Sequence, residues 1–144
     1  MPDGTGLATW QRLRHNTYMP TLSTLLAMTA LTACPNPIVH DGDTIRCGIE
    51  RVRLVNIDAP ELAGSERCTA ASRRRLANSR NPAWCDSALG ERSRDALAAL
   101  VARGATSIAP AGRDRYGRLL ARVVVNGQDA GAYLIGQGLA RHWQ

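Results

Sequence analysis

The 144-residue sequence contains no lysine and no phenylalanine, and aromatic residues account for only 4% of it. All 18 basic residues are therefore arginine, and with 12 acidic residues they give a formal net charge of +6. Arginine carries a permanent charge on a planar group that suits bidentate contacts with phosphate, so this balance favours a polyanionic partner. A genomic base composition that replaces lysine by arginine irrespective of function explains the same counts equally well.

The length and the remaining composition exclude several classes of protein. A chain of 144 residues leaves room for one compact domain of ordinary size and for no second catalytic domain. Its 44% hydrophobic and 21% charged residues are typical of a folded globular protein and not of a disordered one. The sequence also contains no internal repeat and no low-complexity segment.

The N-terminal segment has the pattern of an export signal. Basic residues precede an uncharged, leucine-containing run that is shorter than the roughly 18 apolar residues a membrane span requires. We therefore expect residues 1–33 to be a signal peptide or lipoprotein leader, and residues 34–144 to be the folded domain of an exported (secreted or periplasmic) protein. The alternative is a buried helix of the mature fold, which is disfavoured because Pro35 and Pro37 separate this segment from the rest of the chain.

The four cysteines include no C-x-x-C pair and no histidine at the spacing of a zinc partner, which argues against a structural zinc site. An even number of cysteines behind an export signal favours disulfides, for which three connectivities are possible in principle. Cys34 and Cys47 flank the Asp-Gly turn at residue 41, and Cys68 and Cys85 bracket a polar, arginine-rich insertion. We therefore expect the pairs 34 with 47 and 68 with 85.

The tetrapeptide Leu31-Thr32-Ala33-Cys34 resembles the lipobox of bacterial lipoproteins, in which the cysteine becomes the lipidated first residue. A lipid anchor at Cys34 would attach the protein to the bacterial envelope and would leave Cys47 unpaired. The anchor and the disulfide therefore compete, and the disulfide is the interpretation that we favour.

The hydrophobic pattern of the mature chain predicts short strands interrupted by helices. The expected strands are two pieces within 38–47, then 51–57, 105–109, 119–125 and 139–143; the expected helices are 87–103 and 129–137, with a long connection over 62–86 and a charged turn over 111–117. This set is typical of a mainly β fold with helices (α+β), namely an OB-type five-stranded barrel with two packed helices on its outside.

Three groups of charged residues within this pattern are candidate functional motifs. Asp41-Gly42-Asp43-Thr44, taken alone, is most often a hairpin turn. Arg53 lies inside an otherwise apolar strand, where a permanent charge is costly unless an anion or a structural carboxylate meets it. Asp58 and Glu61 follow this strand closely, and their hard oxygen ligands suit Ca²⁺ or Mg²⁺. The third group, residues 114–118, resembles a solvated charged turn.

Only the three groups together indicate a chemistry. They contain carboxylates that can hold a hard cation, a further carboxylate that can activate water, and two arginines that can neutralise charge on phosphate oxygens. These are the parts that hydrolysis of a phosphodiester requires.

The three motifs, in this order, closely resemble the staphylococcal nuclease (thermonuclease) family, from about Ile38 to Arg141. The motifs are Val39-His40-Asp41-Gly42-Asp43-Thr44-Ile45, Arg51-Val52-Arg53-Leu54-Val55-Asn56-Ile57-Asp58-Ala59-Pro60-Glu61 and Asp114-Arg115-Tyr116-Gly117-Arg118. The resemblance implies an OB-type barrel and a Ca²⁺-dependent endonuclease that cleaves DNA and RNA and leaves 3′-phosphate ends. Single strands are the expected preference, and a monomer without a protein partner is expected.

The same resemblance implies a metal site. Asp43 and Asp58 match the calcium carboxylates of the family, and Ala59 stands where a backbone carbonyl is a ligand. Asp41 matches a carboxylate that lies behind these ligands.

Catalytic and substrate-binding roles are implied by the resemblance in the same way. Glu61 matches the candidate general base, and Arg53 and Arg118 match the two guanidiniums that stabilise charge on the phosphoryl oxygens. Arg115 and Tyr116 match positions near a substrate phosphate.

The sequence departs from the family's best-known member at two places. The segment between Glu61 and the first predicted helix is longer, and its Arg73-Arg74-Arg75 run either follows a nucleic-acid backbone or is a solvated loop. The sequence ends at Gln144, so we expect the family's C-terminal helix to be missing. The alternative function is a non-catalytic OB-type module that binds nucleic acid, but such a module is expected to have lost catalytic residues that this sequence retains.

Overall fold

The computed structural model describes residues 30–144. The predicted leader, residues 1–33, lies outside the described residues except for its last four, and it stays a prediction. Within those four, Thr32–Ala33 already pairs with the sheet, two residues before the expected start of the domain. No helix in the described part of the chain is long and apolar enough to cross a membrane.

Short strands alternate with three helices along the described range. In sequence order they are β1 (Thr32–Ala33), β2 (Ile38–Asp41), β3 (Thr44–Cys47), β4 (Glu50–Leu54), β5 (Ile57–Asp58), α1 (Ala70–Leu76), α2 (Ser87–Val101), β6 (Thr106–Arg113), β7 (Leu119–Val125), β8 (Gln128–Asp129), α3 (Ala130–Gly136) and β9 (Arg141–His142). A 3-10 turn, Glu66–Cys68, precedes α1.

The main sheet is mixed and curves into a half-barrel. Its strands are hydrogen-bonded in the order β1-β6-β7-β4-β3-β2, with β8 attached to β7, and β5 forms a separate pair with β9. β4 and β7 run parallel, whereas the other neighbours are antiparallel. Together with the helices this is the OB-type α+β fold that the sequence predicts.

The core lies between the sheet and the helices α2 and α3. Ile45 and Val52 of the sheet, Leu97 of α2 and Leu134 of α3 are each 0% exposed and belong to one cluster. Full burial of such a side chain stabilises the fold by about 1.5–3 kcal/mol. The barrel therefore provides a rigid support for the loops and strand ends that carry charge.

Two glycines allow α2 to lie against the first two charged motifs. A Cβ atom at Gly42, in the β2–β3 turn, would collide with the Ser93 hydroxyl of α2. A Cβ atom at Gly90 would lie 2.6 Å from the carbonyl oxygen of Glu61. Helix α2 thus fixes both the turn that carries the paired aspartates and the segment that ends at Glu61.

Several predicted elements differ from the observed ones. The continuous strand predicted over 51–57 is wrong, because Asn56 adopts a left-handed conformation (φ 65°) and separates β4 from β5. The strand predicted over 105–109 is too short, since β6 continues through Pro110 to Arg113 with a register shift. Strand β6 therefore includes the first residues of the turn expected at 111–117.

Both predicted helices are present as α2 and α3, but the long connection expected over 62–86 contains a third helix that was not predicted. The connection contains the 3-10 turn and helix α1, which begins where the Thr69 hydroxyl accepts a hydrogen bond from the backbone N–H of Ser72 at 3.2 Å. Within α1 only Ser72 is buried. Because α1 has no apolar face, the hydrophobic pattern gave no signal for it.

Both predicted disulfides are confirmed, and they use all four cysteines. Cys34–Cys47 joins the start of the domain to the end of β3. Cys68–Cys85 closes the insertion, which we call the arm and define as residues 66–85.

Candidate active site

Asp43 lies at the β2–β3 turn, where its carboxylate is held on both oxygens. Its Oδ2 atom forms an ion pair with Nη1 of Arg53 at 2.9 Å and accepts a hydrogen bond from the backbone N–H of Ala59 at 3.0 Å. Its Oδ1 atom accepts a bond from the Thr44 hydroxyl at 3.1 Å. Arg53 lies opposite Thr44 in the β3–β4 pairing. The sheet register therefore brings the first two charged motifs together.

Asp41 is half-buried behind Asp43 and accepts a hydrogen bond from the Asp43 backbone N–H at 3.1 Å. Burial, reinforced by the negative charge of Asp43, raises the pKa of Asp41 to about 6. Two neighbouring carboxylates in a partly dry position repel each other. This end of the site therefore carries an excess of negative charge that favours a cation.

The Asp58 side chain is 0% exposed and contacts three guanidiniums. Asp58 lies directly opposite Arg141 in the β5–β9 pairing, and Arg141 donates to its Oδ2 atom from Nη2 at 2.8 Å and from Nε at 3.1 Å. The Oδ1 atom lies 3.2 Å from Nη1 of Arg67 and 3.8 Å from Nη2 of Arg53. A buried carboxylate is costly unless it is paired, and these three arginines supply the pairing.

Glu61 is held by the arm and its preceding loop. Its Oε1 atom accepts a hydrogen bond from Nη1 of Arg67 at 2.8 Å, and its Oε2 atom accepts one from the Ser65 hydroxyl at 2.7 Å. Its backbone N–H donates to the carbonyl of Trp84 at 2.8 Å. Arg67 thus bridges Glu61 and Asp58, and the disulfide at the next residue, Cys68, fixes the start of the arm.

The third motif forms the tight turn between β6 and β7. Asp114 accepts hydrogen bonds from the backbone N–H groups of Tyr116 and Arg118 at 2.9 and 3.0 Å and from Nε of Arg118 at 2.7 Å. Burial acts to raise the pKa of Asp114, but the bonds from Arg118 and Tyr116 outweigh it and lower that pKa. Tyr116 is 69% exposed, and the Arg115 guanidinium lies 4.8 Å from its ring centre.

These three motifs meet in one open cleft of about 950 Å³. The charged and aromatic side chains that line it are Asp41, Asp43, Arg53, Glu61, Arg67, Arg75, Arg80, Asp114, Arg115, Tyr116, Arg118 and Trp143. The predicted ligands Asp58 and Ala59 do not line the cleft. They are buried next to it, in contact with Arg53 and Asp43 respectively.

Arg67, Arg141 and Trp143 are among the residues of the cleft or its support that were not predicted as part of the site. Arg67 and Arg141 pair with Asp58, and Trp143 is 44% exposed. The Arg53 and Arg67 guanidiniums lie 5.1 and 5.8 Å from the Trp143 ring centre. Arg141 gave the same signal as Arg53, a lone charge in a predicted strand, whereas nothing in the sequence pointed to Arg67.

The donor chemistry of this site fits a hard cation. Among residues 30–144, no group of three or more His, Cys, Asp or Glu residues could hold a metal ion by itself. Asp43 and Asp58, however, both contact Arg53, and the Ala59 backbone N–H donates to Asp43. Two carboxylates and one carbonyl suit Ca²⁺ or Mg²⁺ when water and substrate complete the coordination.

Comparison with known proteins agrees with this geometry. Residues 51–144 match the family model described as Staphylococcal nuclease homologue. The chain is 30% identical over 130 residues to an uncharacterized endonuclease of Haemophilus influenzae, which covers 82% of this chain and 60% of that protein. It is 37% identical over 92 residues to Protein ParB of Escherichia coli, which covers 61% of this chain and 39% of that protein. The chain thus spans less than two thirds of the length of either relative.

Proposed function

Because the chain belongs to the staphylococcal nuclease homologue family, we propose that it is a Ca²⁺-dependent endonuclease that hydrolyses phosphodiester bonds of DNA and RNA and leaves 3′-phosphate ends. The main support is the single cleft in which carboxylates and guanidiniums of three separate motifs meet. The name of the Haemophilus relative, an endonuclease, supports the same reaction class.

Asp43, Asp58 and the carbonyl of Ala59 would hold the Ca²⁺ ion, with Asp41 behind them. When bound, the ion supplies positive charge next to the scissile phosphate and lowers the pKa of a coordinated water. The support for this role is that Asp43 and Asp58 contact the same guanidinium, that of Arg53, while Arg141 fixes the Oδ2 atom of Asp58.

Glu61 would accept a proton from the water that attacks phosphorus. The water oxygen forms the new bond to phosphorus, and the bond to the 5′ oxygen breaks. The 5′ oxygen takes up a proton from solvent and leaves as a hydroxyl, and the phosphate stays on the 3′ side. Arg53 and Arg118 would neutralise the charge that develops on the phosphoryl oxygens, a contact made chiefly in the transition state. Arg115 and Tyr116, at the exposed turn, would contact a neighbouring phosphate of a single strand.

The protein would act outside the cytoplasm, secreted or in the periplasm, because its two disulfides persist in oxidising compartments. Cys34 is fully buried and bonded to Cys47, and a thioether lipid on the same sulfur would exclude that bond. We therefore favour the disulfide form over the lipid-anchored form. Mass mapping of the protein from its natural envelope distinguishes a bridged peptide from a lipidated one.

Digestion of single-stranded DNA, duplex DNA and RNA, in Ca²⁺ and in chelator, tests the proposed reaction. We expect Ca²⁺-dependent products with 3′-phosphate ends, and loss of cleavage in Glu61→Gln. Glu66→Gln is the matched control, since Glu66 is exposed at the start of the arm and does not line the cleft. A folded protein that binds single strands but cleaves none would favour the non-catalytic binding module instead.

A further inference from the structure

The arm contributes one wall of the cleft. Three of its arginines, Arg67, Arg75 and Arg80, line the same cavity as Arg53 and Glu61. Helix α1, which carries Arg75, contributes only one buried residue to the fold. The arm therefore adds charge to the cleft and very little to the core.

The cleft arginines form two groups, those that pair with a carboxylate and those that do not. Arg53 pairs with Asp43 at 2.9 Å, and Arg67 pairs with Glu61 at 2.8 Å. Arg118 pairs with its own turn aspartate at 2.7 Å. These three charges are balanced within the protein.

The other three cleft arginines form no ion pair within residues 30–144. Arg75 donates only to the Ser72 hydroxyl, at 3.4 Å, and Arg115 donates to the Tyr116 hydroxyl at 2.6 Å. Arg80 makes no side-chain hydrogen bond to the described part of the chain. Two of these unbalanced charges, Arg75 and Arg80, belong to the arm, and no family motif includes them.

The arm wall is held in place beside the carboxylates. Arg67 contacts Glu61 and Asp58 through Nη1, and its Nη2 atom donates to the carbonyl of Asn81 at 3.3 Å. The Asn81 amide in turn donates to the carbonyl of Gln144 at 2.8 Å and accepts from its N–H at 3.0 Å. The backbone of Arg80 is therefore bonded directly to a residue that hydrogen bonds hold to Arg67 and to Gln144.

We propose that Arg75 and Arg80 form a subsite on the arm that binds the phosphodiester backbone of a nucleic-acid strand whose scissile bond lies at Glu61. The inference rests on the proposed function for the identity of its ligand. Two cations that share one cavity without internal counter-charge favour an anion that reaches both, and a strand carries a phosphate at every nucleotide. The continuity of the cleft from Arg80 to Arg53 suits one extended polyanion better than separate small ions.

Salt-dependent binding tests this subsite without relying on cleavage. The probe is a fluorescent single-stranded DNA oligonucleotide, measured by anisotropy in chelator over roughly 50 to 300 mM salt, with the oxidised full chain. Each phosphate contact on a single strand contributes about 0.7 to the slope of log K against log salt. We expect the double variant Arg75→Gln, Arg80→Gln to reduce that slope by about 1.4 and to raise Kd at least several-fold near physiological salt.

The matched control is the double variant Arg73→Gln, Arg74→Gln, which removes the same charge from the same arm but from side chains that do not line the cleft. We expect it to leave the slope close to that of the unmodified protein. Equal changes in both double variants would overturn the subsite and indicate general electrostatic attraction. Circular dichroism establishes that each variant is folded.

The proposal of the subsite and the proposal of nuclease activity can be refuted separately. If the unmodified protein cleaves nothing in Ca²⁺ but the two double variants differ in slope, the subsite stands and the proposed reaction fails. If the protein cleaves as proposed but the slopes do not differ, only the subsite fails. Absence of any binding to single-stranded DNA or RNA would overturn both.

Discussion

Two regions supply the cleft, and they hold their charged side chains in different ways. On the barrel side, Arg53 meets Asp43 because the β3–β4 register places Arg53 opposite Thr44, the next residue after Asp43. Arg141 meets Asp58 because β5 pairs with β9. On the arm side, α1 buries a single residue, and the segment is held by Cys68–Cys85 and by the contacts of Arg67.

The comparison distinguishes side chains that the sheet holds in position from side chains that only local contacts hold in position. A side chain placed by sheet register is as stable as the sheet, because moving it requires the strands to separate. A side chain on a segment with few buried contacts can move through local opening while the domain stays folded. The barrel side should therefore govern the reaction rate and the global stability, and the arm side should govern substrate affinity.

The largest expected effect lies on the barrel side. We predict that Arg53→Ala lowers kcat by about 10²–10³-fold, the usual loss when one donor to a developing oxyanion is removed. Arg51→Ala is the control, because Arg51 lies two positions earlier on β4 and is exposed. Steady-state kinetics on single-stranded DNA measures both. A comparable loss in Arg51→Ala would mean that overall charge, and not the placement of Arg53, sets the rate.

Removal of each disulfide in turn allows a direct comparison of the two regions. We predict that the pair Cys34→Ser, Cys47→Ser lowers the free energy of unfolding by about 3 kcal/mol, because the bond closes a loop near 15 residues and Cys34 is 0% exposed in the core. The pair Cys68→Ser, Cys85→Ser should change global unfolding less, because the arm opens locally, and should raise KM more than it lowers kcat.

Denaturant unfolding, hydrogen exchange of the arm amides and steady-state kinetics measure these effects together. Faster exchange confined to the arm in the Cys68, Cys85 variant is the expected signature. If that variant loses as much global stability as the barrel variant, the arm folds as part of the core and the comparison between the regions is wrong.

A smaller effect is expected at the buried carboxylate. We predict that Arg141→Ala lowers the free energy of unfolding by about 2 kcal/mol, because it leaves the buried Asp58 carboxylate with weaker partners. Arg122→Ala is the control: its ion pair with Asp129 is exposed (57% and 30%) and should be worth about 0–1 kcal/mol. Urea denaturation measures both, and equal losses would show that Arg67 and Arg53 suffice to hold Asp58.

The sequence predicted the barrel side of the site much better than the arm side. Alternating apolar residues and the Asp-Gly turn located β2, β3 and β7, and a lone arginine in a strand pointed to the ion pair of Arg53. The break at Asn56 was missed because β-branched residues continue on both sides of it. Asparagine adopts the left-handed conformation more readily than most residues, but one Asn within a β-branched run does not by itself indicate a break.

The contacts of the arm with the site were not predicted from the sequence, for a physical reason. Its contacts with the site are polar and join residues distant in sequence, such as Asn81 with Gln144, and no periodic pattern encodes such contacts. Cysteine spacing predicted that the segment is closed by a disulfide, which is confirmed. It did not predict that closure would place Arg67 between Glu61 and Asp58.

The smallest expected effect concerns Tyr116, on the turn that joins β6 to β7. Its hydroxyl accepts a hydrogen bond from Arg115 at 2.6 Å, and its ring lies 4.8 and 5.8 Å from the Arg115 and Arg118 guanidiniums. An exposed cation–π contact is worth about 0.5–1 kcal/mol, whereas an exposed hydroxyl bond exchanges readily with water. We therefore predict that Tyr116→Phe changes KM by less than about twofold, and that Tyr116→Ala raises it by about threefold. Initial rates over a range of substrate concentrations measure both, and a larger effect of Phe than of Ala would show that the hydroxyl, and not the ring, positions the two arginines.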